Sequence, residues 1–110
     1  MTCRPFDVVV VPFPFTDSRT VKRRPALALS SETFSSGSGH TVMAMITSAA
    51  NPPWPMDVAI DSEKAGLRSR SKVRMKLFTL DNRLIIHKAG TLFPTDQRTV
   101  SAAVKKLLPA

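Results

Sequence analysis

Four cations stand at every second position in Arg70-Ser71-Lys72-Val73-Arg74-Met75-Lys76. In an extended chain successive side chains point to opposite faces, so Arg70, Lys72, Arg74 and Lys76 share one face and Ser71, Val73 and Met75 the other. No carboxylate falls between Lys64 and Leu80, so the neighbouring sequence offers this ridge no counter-charge. A phosphate backbone or an acidic protein segment would neutralise it. The structural alternative is a solvated edge strand, where Lys and Arg discourage edge-to-edge pairing.

A second basic cluster, Arg19, Lys22, Arg23 and Arg24, falls in the polar stretch 16–24. Pro25 pushes the preceding Arg24 out of the helical region into an extended conformation, which sets that arginine at a defined strand entrance. The pair Thr47-Ser48 ends an apolar stretch and leads into Asn51-Pro52-Pro53-Trp54-Pro55, whose prolines exclude helix and sheet interior. Metal chemistry has little support. His40 and His87 are far apart in sequence, Cys3 is the one cysteine, and the eight acidic residues are scattered singly. His87 reads as a partly exposed strand residue. Neither a G-x-G-x-x-G nor a P-loop pattern occurs, and no cofactor is expected. Cleavage of RNA by its own 2′-OH is a reaction that needs cations and hydroxyls but no metal. The substrate supplies the nucleophile, and the protein holds the phosphate, stabilises the developing negative charge and moves protons. Arginine suits the first two tasks because its planar fork grips phosphate oxygens and stays charged. A Thr or Ser hydroxyl adds an oriented donor.

These side chains need a frame, and 110 residues, 43% of them hydrophobic, fit one domain spanning 1–110 with one core. The longest apolar run, Val8-Val9-Val10-Val11, is strand-sized and far from the roughly 20 residues of a membrane span. Signal-peptide regions are not recognisable and Asp7 interrupts the N-terminal stretch, so a cytoplasmic location is expected. A single cysteine excludes an internal disulfide. The net charge of +8 favours an acidic partner, nucleic acid or protein. Six Phe, one Trp and no Tyr argue against an open stacking platform for single strands.

The pattern predicts strands over 6–15, 25–30, 41–48 and 56–60, a helical turn over 61–66 ended by Gly66, and the cationic strand continuing into Leu77-Phe78-Thr79-Leu80. A turn at Asp81-Asn82, a short strand over 84–89 and a break at Gly90 follow. Residues 31–40, rich in Ser and Gly, read as a mobile hairpin loop. The one good helix is 95–108, with Pro94 before it, Thr95 as its cap, Asp96 at its positive end, and Val100, Ala103, Val104, Leu107 and Leu108 as its apolar stripe. Short strands with one terminal helix predict a mainly β fold, a small, strongly bent antiparallel β-barrel or sheet with a C-terminal α-helix.

Residues 6–15, then Lys22-Arg23-Arg24-Pro25-Ala26-Leu27-Ala28-Leu29-Ser30, resemble the opening of the MazF/PemK (Kid) toxins of type II toxin–antitoxin systems. Ile46-Thr47-Ser48 is similar to their third-strand signature. Ala65-Gly66-Leu67, Ser71-Lys72-Val73-Arg74 and Leu77-Phe78-Thr79-Leu80-Asp81 are similar to their later block. The resemblance covers nearly the whole chain, with the motifs in order. It implies an SH3-like, CcdB-like barrel working as a homodimer, and a metal-independent endoribonuclease (an mRNA interferase) that cuts single-stranded RNA at short sequences, leaving a 2′,3′-cyclic phosphate and a 5′-hydroxyl. It also implies an antitoxin whose acidic tail covers the RNA groove, and no membrane partner. Carried over by residue, Arg24 and Thr47 act together at the scissile phosphate and Arg74 acts as a catalytic acid. Arg19, Lys22, Arg23, Ser48, Arg70, Lys72 and Lys76 are the expected RNA-binding residues around them. Trp54 either stacks on a base or an antitoxin side chain, or closes the barrel end. Lys76 stands where one branch carries an acidic residue, and the stretch before Arg24 has hydroxyls (Thr16, Ser18, Thr20) where some members carry a histidine. The alternatives are a non-enzymatic gyrase inhibitor on the CcdB pattern and a family member that binds nucleic acid or antitoxin without cutting.

Overall fold

The valine run makes the middle of the first strand, β1 (Asp7–Phe13), because it meets apolar partners on both faces. Val8 belongs to one buried cluster, Val9 and Val11 to another on the opposite side. The computed structural model describes residues 2–13 and 22–110. Within them β2 (Lys22–Ala28), β3 (His40–Ser48), β4 (Val58–Ala59), β5 (Ser71–Asp81) and β6 (His87–Thr91) join β1 in one sheet, and two helices, α1 (Glu32–Ser38) and α2 (Pro94–Leu107), pack against it. The strand order is β4-β5-β3-β2-β1-β6, with every pairing antiparallel. The sheet curls into a half-barrel with a C-terminal helix, so the fold is mainly β as expected.

α2 covers one face. Its Val100 is fully buried, and Ala103, Val104 and Leu107 pack with it on Val8, Leu27, Ala44, Ile46, Val73 and Leu92. The opposite face holds Cys3, Val9, Val11, Ala26, Ala28, Met43, Leu80 and Ile85. Among the described residues a hollow remains at the C-terminal end of β3.

Several expectations change: the strand expected over 84–89 is a 3-10 turn at Asn82–Leu84 followed by β6, and β2 begins at Lys22, inside the stretch read as a polar loop. Residues 31–40 are not a loop. Ser31 caps α1 by accepting from the Phe34 N–H at 3.1 Å, and Gly39 (φ 73°) closes it with its N–H on the Ser35 carbonyl at 3.1 Å. The helix is held by buried polar contacts that its composition does not announce: Asn82 donates to the Ser35 carbonyl at 2.9 Å and accepts from Thr41 Oγ1 at 2.6 Å. Thr95 does not cap α2. Phe93 is the N-cap, Pro94 takes the first turn, where its missing N–H costs nothing, and Gln97 donates to the Leu92 carbonyl at 2.8 Å. Gly90 does not break a strand either. β6 runs through it, because Gly90 and Gly66 (φ 82°) lie where the turn at 61–66 meets β6, and a Cβ on Gly90 would collide with the Ala65 carbonyl.

The cationic stretch is part of an 11-residue strand, and its alternation is as read: Ser71, Val73 and Met75 are buried, Lys72 and Arg74 half-buried, Lys76 exposed. Of its four charged positions only Lys72 has a strand on both sides. β3 pairs along one side of β5, and β4 covers the other at Val58–Val73 and Ala59–Lys72.

Candidate active site

β2 and β3 are paired at Ala26–Met45, Leu27–Ala44 and Ala28–Met43, and among the described residues the ladder stops there. Beyond Met45 the two strands part. Alternation places Arg24 on the same face as Ala26, and Thr47 on the same face as Met45, so both side chains look into the gap. The gap is a groove of about 470 Å³. Arg24, Thr47, Ser48, Asn51, Ser69 and Ser71 supply its polar lining, and Phe13, Pro25, Met45 and Ile46 its apolar floor and walls. The sequence-predicted pair, Arg24 and Thr47, therefore shares one cleft.

Arg24 is exposed and sits opposite Val11 in the β1–β2 ladder. Among the described residues its guanidinium has no hydrogen-bond or ion-pair partner, so its charge faces the groove. Thr47 is half-buried, and its Oγ1 accepts from Asn51 Nδ2 at 2.5 Å. Ser48, the last residue of β3, also borders the groove. Its Oγ accepts from the Ala50 N–H at 3.2 Å. Arg70 borders an adjoining hollow with Ser48 and Ser69. Lys22 and Arg23 are exposed at the start of β2, opposite Phe13 and Pro12. Arg19 lies outside the described residues.

The ridge of β5 meets a partner that the sequence reading did not foresee. Asp57, just before β4, reaches both of its half-buried cations. Lys72 Nζ lies 3.3 Å from Asp57 Oδ2, Arg74 Nη2 lies 3.1 Å from the same oxygen, and Arg74 Nε donates to Oδ1 at 3.2 Å. All three side chains are only 12–14% exposed. Burial disfavours the charged carboxylate, but hydrogen bonds from Arg74, from the Trp54 N–H at 3.0 Å and from Lys72 outweigh it and hold the Asp57 pKa below the ordinary 3.8. The proline-rich segment adds two carbonyls: Asn51 O accepts from Lys72 Nζ at 2.7 Å and Pro52 O from Arg74 Nη2 at 2.8 Å. Trp54 lies against the same charges, its ring centroid 4.8 Å from Lys76 Nζ and 5.6 Å from the Arg74 guanidinium.

Two arginines singled out for the same chemistry therefore stand in different states. Arg24 is open in the groove with Thr47. Arg74 does not line that groove, and its guanidinium is held by Asp57 and Pro52. The sequence reading missed Asp57 and Asn51. For Asp57 a signal existed, since a carboxylate in a proline-rich loop before a short strand is poorly placed as a cap. For Asn51 there was none, because its role depends on the loop returning over β5. Among the described residues no group of three or more His, Cys, Asp or Glu side chains is placed to hold a metal ion, and no helix is long and apolar enough to cross a membrane.

The sequence from residue 4 to residue 108 matches the family described as PemK-like, MazF-like toxin of type II toxin-antitoxin system. Among curated proteins none matches significantly. Solved structures share the fold at low identity. A MazE–MazF complex from Deinococcus radiodurans superposes with a TM-score of 0.80 at 21% identity, over 99% of this chain and 98% of that one. An endoribonuclease in complex with its cognate antitoxin from a Mycobacterial species gives 0.78 at 16% identity, over 98% and 94%. The Mycobacterium tuberculosis toxin MazF-mt6 gives 0.74 at 18%, over 91% and 93%.

Proposed function

The chain belongs to the PemK-like, MazF-like toxin family of type II toxin–antitoxin systems, and from that premise we propose that it is a metal-independent endoribonuclease acting on single-stranded RNA in the groove between β2 and β3. The observation that carries this reading is that Arg24, without a side-chain partner among the described residues, and a half-buried Thr47 hydroxyl line one groove.

In the proposed reaction the 2′-oxygen of the substrate attacks the neighbouring phosphorus. The O2′–P bond forms, the P–O5′ bond breaks, the 2′-OH proton leaves to a base and the departing 5′-oxygen gains one. The products are a 2′,3′-cyclic phosphate and a 5′-hydroxyl. Arg24 grips the non-bridging oxygens and stabilises the charge that grows on them, and among the described residues it has no side-chain pair to break first. Thr47 donates its hydroxyl to the same oxygens. Arg74 is a third catalytic candidate, and to reach a leaving oxygen it has to exchange Asp57 and Pro52 for phosphate. Lys22, Arg23, Arg70 and Lys76 draw the RNA backbone in, together with Arg19, and Ser48 adds a donor at the groove edge. Lys72 contributes field rather than contact while it is held by Asp57. Trp54 offers a ring for a base or for an antitoxin side chain. The same positive groove suits the acidic tail of an antitoxin, and the working unit is a homodimer.

The test is cleavage of a long single-stranded RNA by purified protein in EDTA. Discrete fragments are expected, and no cleavage, or cleavage only with added metal, would contradict the reading. Arg24→Ala is expected to lower kcat about 10²- to 10³-fold, the usual effect of removing one donor to a transition-state oxyanion. Its thermal midpoint should stay unchanged, since the side chain is exposed.

A further inference from the structure

We propose that Asn51 is a positioning residue that sets the direction of the Thr47 hydroxyl. This rests on the ribonuclease reading above and adds a residue to it. A threonine hydroxyl has one proton to give and two lone pairs to accept with, and its rotor otherwise turns freely. The Asn51 amide nitrogen can only donate, so at 2.5 Å it occupies a lone pair of Thr47 Oγ1. The hydroxyl proton then has to point elsewhere, and Thr47 lines the groove that Arg24 also lines. Asn51 thus turns an ambivalent hydroxyl into a committed donor aimed at the groove, which is what an incoming phosphate oxygen needs.

Asn51 is itself fixed at three points. Its N–H donates to the Ser48 carbonyl at 3.1 Å, its own carbonyl accepts from Lys72 Nζ at 2.7 Å, and its side chain holds Thr47. Lys72 is in turn held by Asp57 at 3.3 Å. The half-buried cation of β5 therefore acts on the groove indirectly, by anchoring the backbone that carries the Asn51 amide. Pro52 follows Asn51 and restricts its backbone to extended conformations, so the amide is presented from a stiff support.

The experiment is a double-mutant cycle read in single-turnover RNA cleavage. Asn51→Ala is expected to lower the rate of the chemical step about three- to tenfold, the range of one hydrogen bond, with KM little changed. In a Thr47→Val background the same substitution is expected to have no further effect, because its target hydroxyl is gone. Asn51→Asp keeps the shape but can only accept, so it pulls the Thr47 proton out of the groove and is expected to be worse than Asn51→Ala. An unchanged rate in Asn51→Ala, or an equal loss in both backgrounds, would overturn the proposal. A second readout does not depend on cleavage. The Asn51 side-chain amide protons, followed by NMR, should shift and exchange faster in Thr47→Val. If they do not respond, the proposal fails. If they respond but the wild type cuts no RNA, the hydrogen bond stands and the ribonuclease reading has failed instead.

Discussion

Two arginines of the same chain show how surroundings decide what a guanidinium can do. Among the described residues Arg24 has no partner for its guanidinium, whereas Arg74 spends its donors on Asp57 and Pro52. The pairing of Asp57 makes a pH prediction with a definite sign. Its pKa is lowered in the folded protein from an ordinary 3.8, so the stabilisation it contributes is fully present above that value and is lost as pH falls through the lower folded value. Asp57→Asn should therefore lose thermal stability at about pH 6 and lose less, relative to wild type, at about pH 3. A gap between the two proteins that stays constant with pH would contradict the pairing. Arg24→Lys retains charge but not the fork, and cleavage should fall about tenfold or more, as expected where bidentate geometry matters.

At the scale of elements, α1 depends on one buried asparagine. Asn82→Ala would leave the Thr41 hydroxyl and the Ser35 carbonyl unpaired in the interior. It should cost about 2–4 kcal/mol, the range for two orphaned buried groups, readable by denaturant unfolding. A loss below about 0.5 kcal/mol would show that water replaces the amide. The elements whose signal is local were legible in the sequence: the valine run of β1, the alternation of β5 and the apolar stripe of α2. α1 was not, because residues 31–40 have loop composition and the contact that holds their helix comes from Asn82, 47 residues beyond Ser35, which Thr41 holds in turn. The site divided in the same way. Pro25 marked Arg24 as a strand-entrance residue and the end of an apolar strand marked Thr47, whereas their meeting in one groove was implied only by the family resemblance. The partners of the β5 ridge were not legible: Asp57 stood out only as a carboxylate poorly placed for a cap, and no local pattern predicts the path of the loop that brings it and Asn51 to Lys72.

For the molecule as a whole, the net charge of +8 is distributed unevenly in availability. Lys72 and Arg74 share the single carboxylate of Asp57 and are held inside, while Lys22, Arg23, Arg24, Arg70 and Lys76 remain exposed. If these five make the phosphate contacts, the logarithm of RNA affinity should fall with the logarithm of salt with a slope of about −3.5. Asp57→Asn frees two more cations and should steepen that slope by about 1.4 units. A slope unaffected by Asp57→Asn would mean that the ridge stays closed to RNA. The central claim is that the substrate's own 2′-OH is the nucleophile in a groove organised by Arg24 and Thr47. Its most direct test is mass spectrometry of the fragment ends after cleavage in EDTA. A 2′,3′-cyclic phosphate on one fragment and a 5′-hydroxyl on the other, both lost with Arg24→Ala, is the expected result. Ends carrying a 5′-phosphate and a 3′-hydroxyl would contradict it.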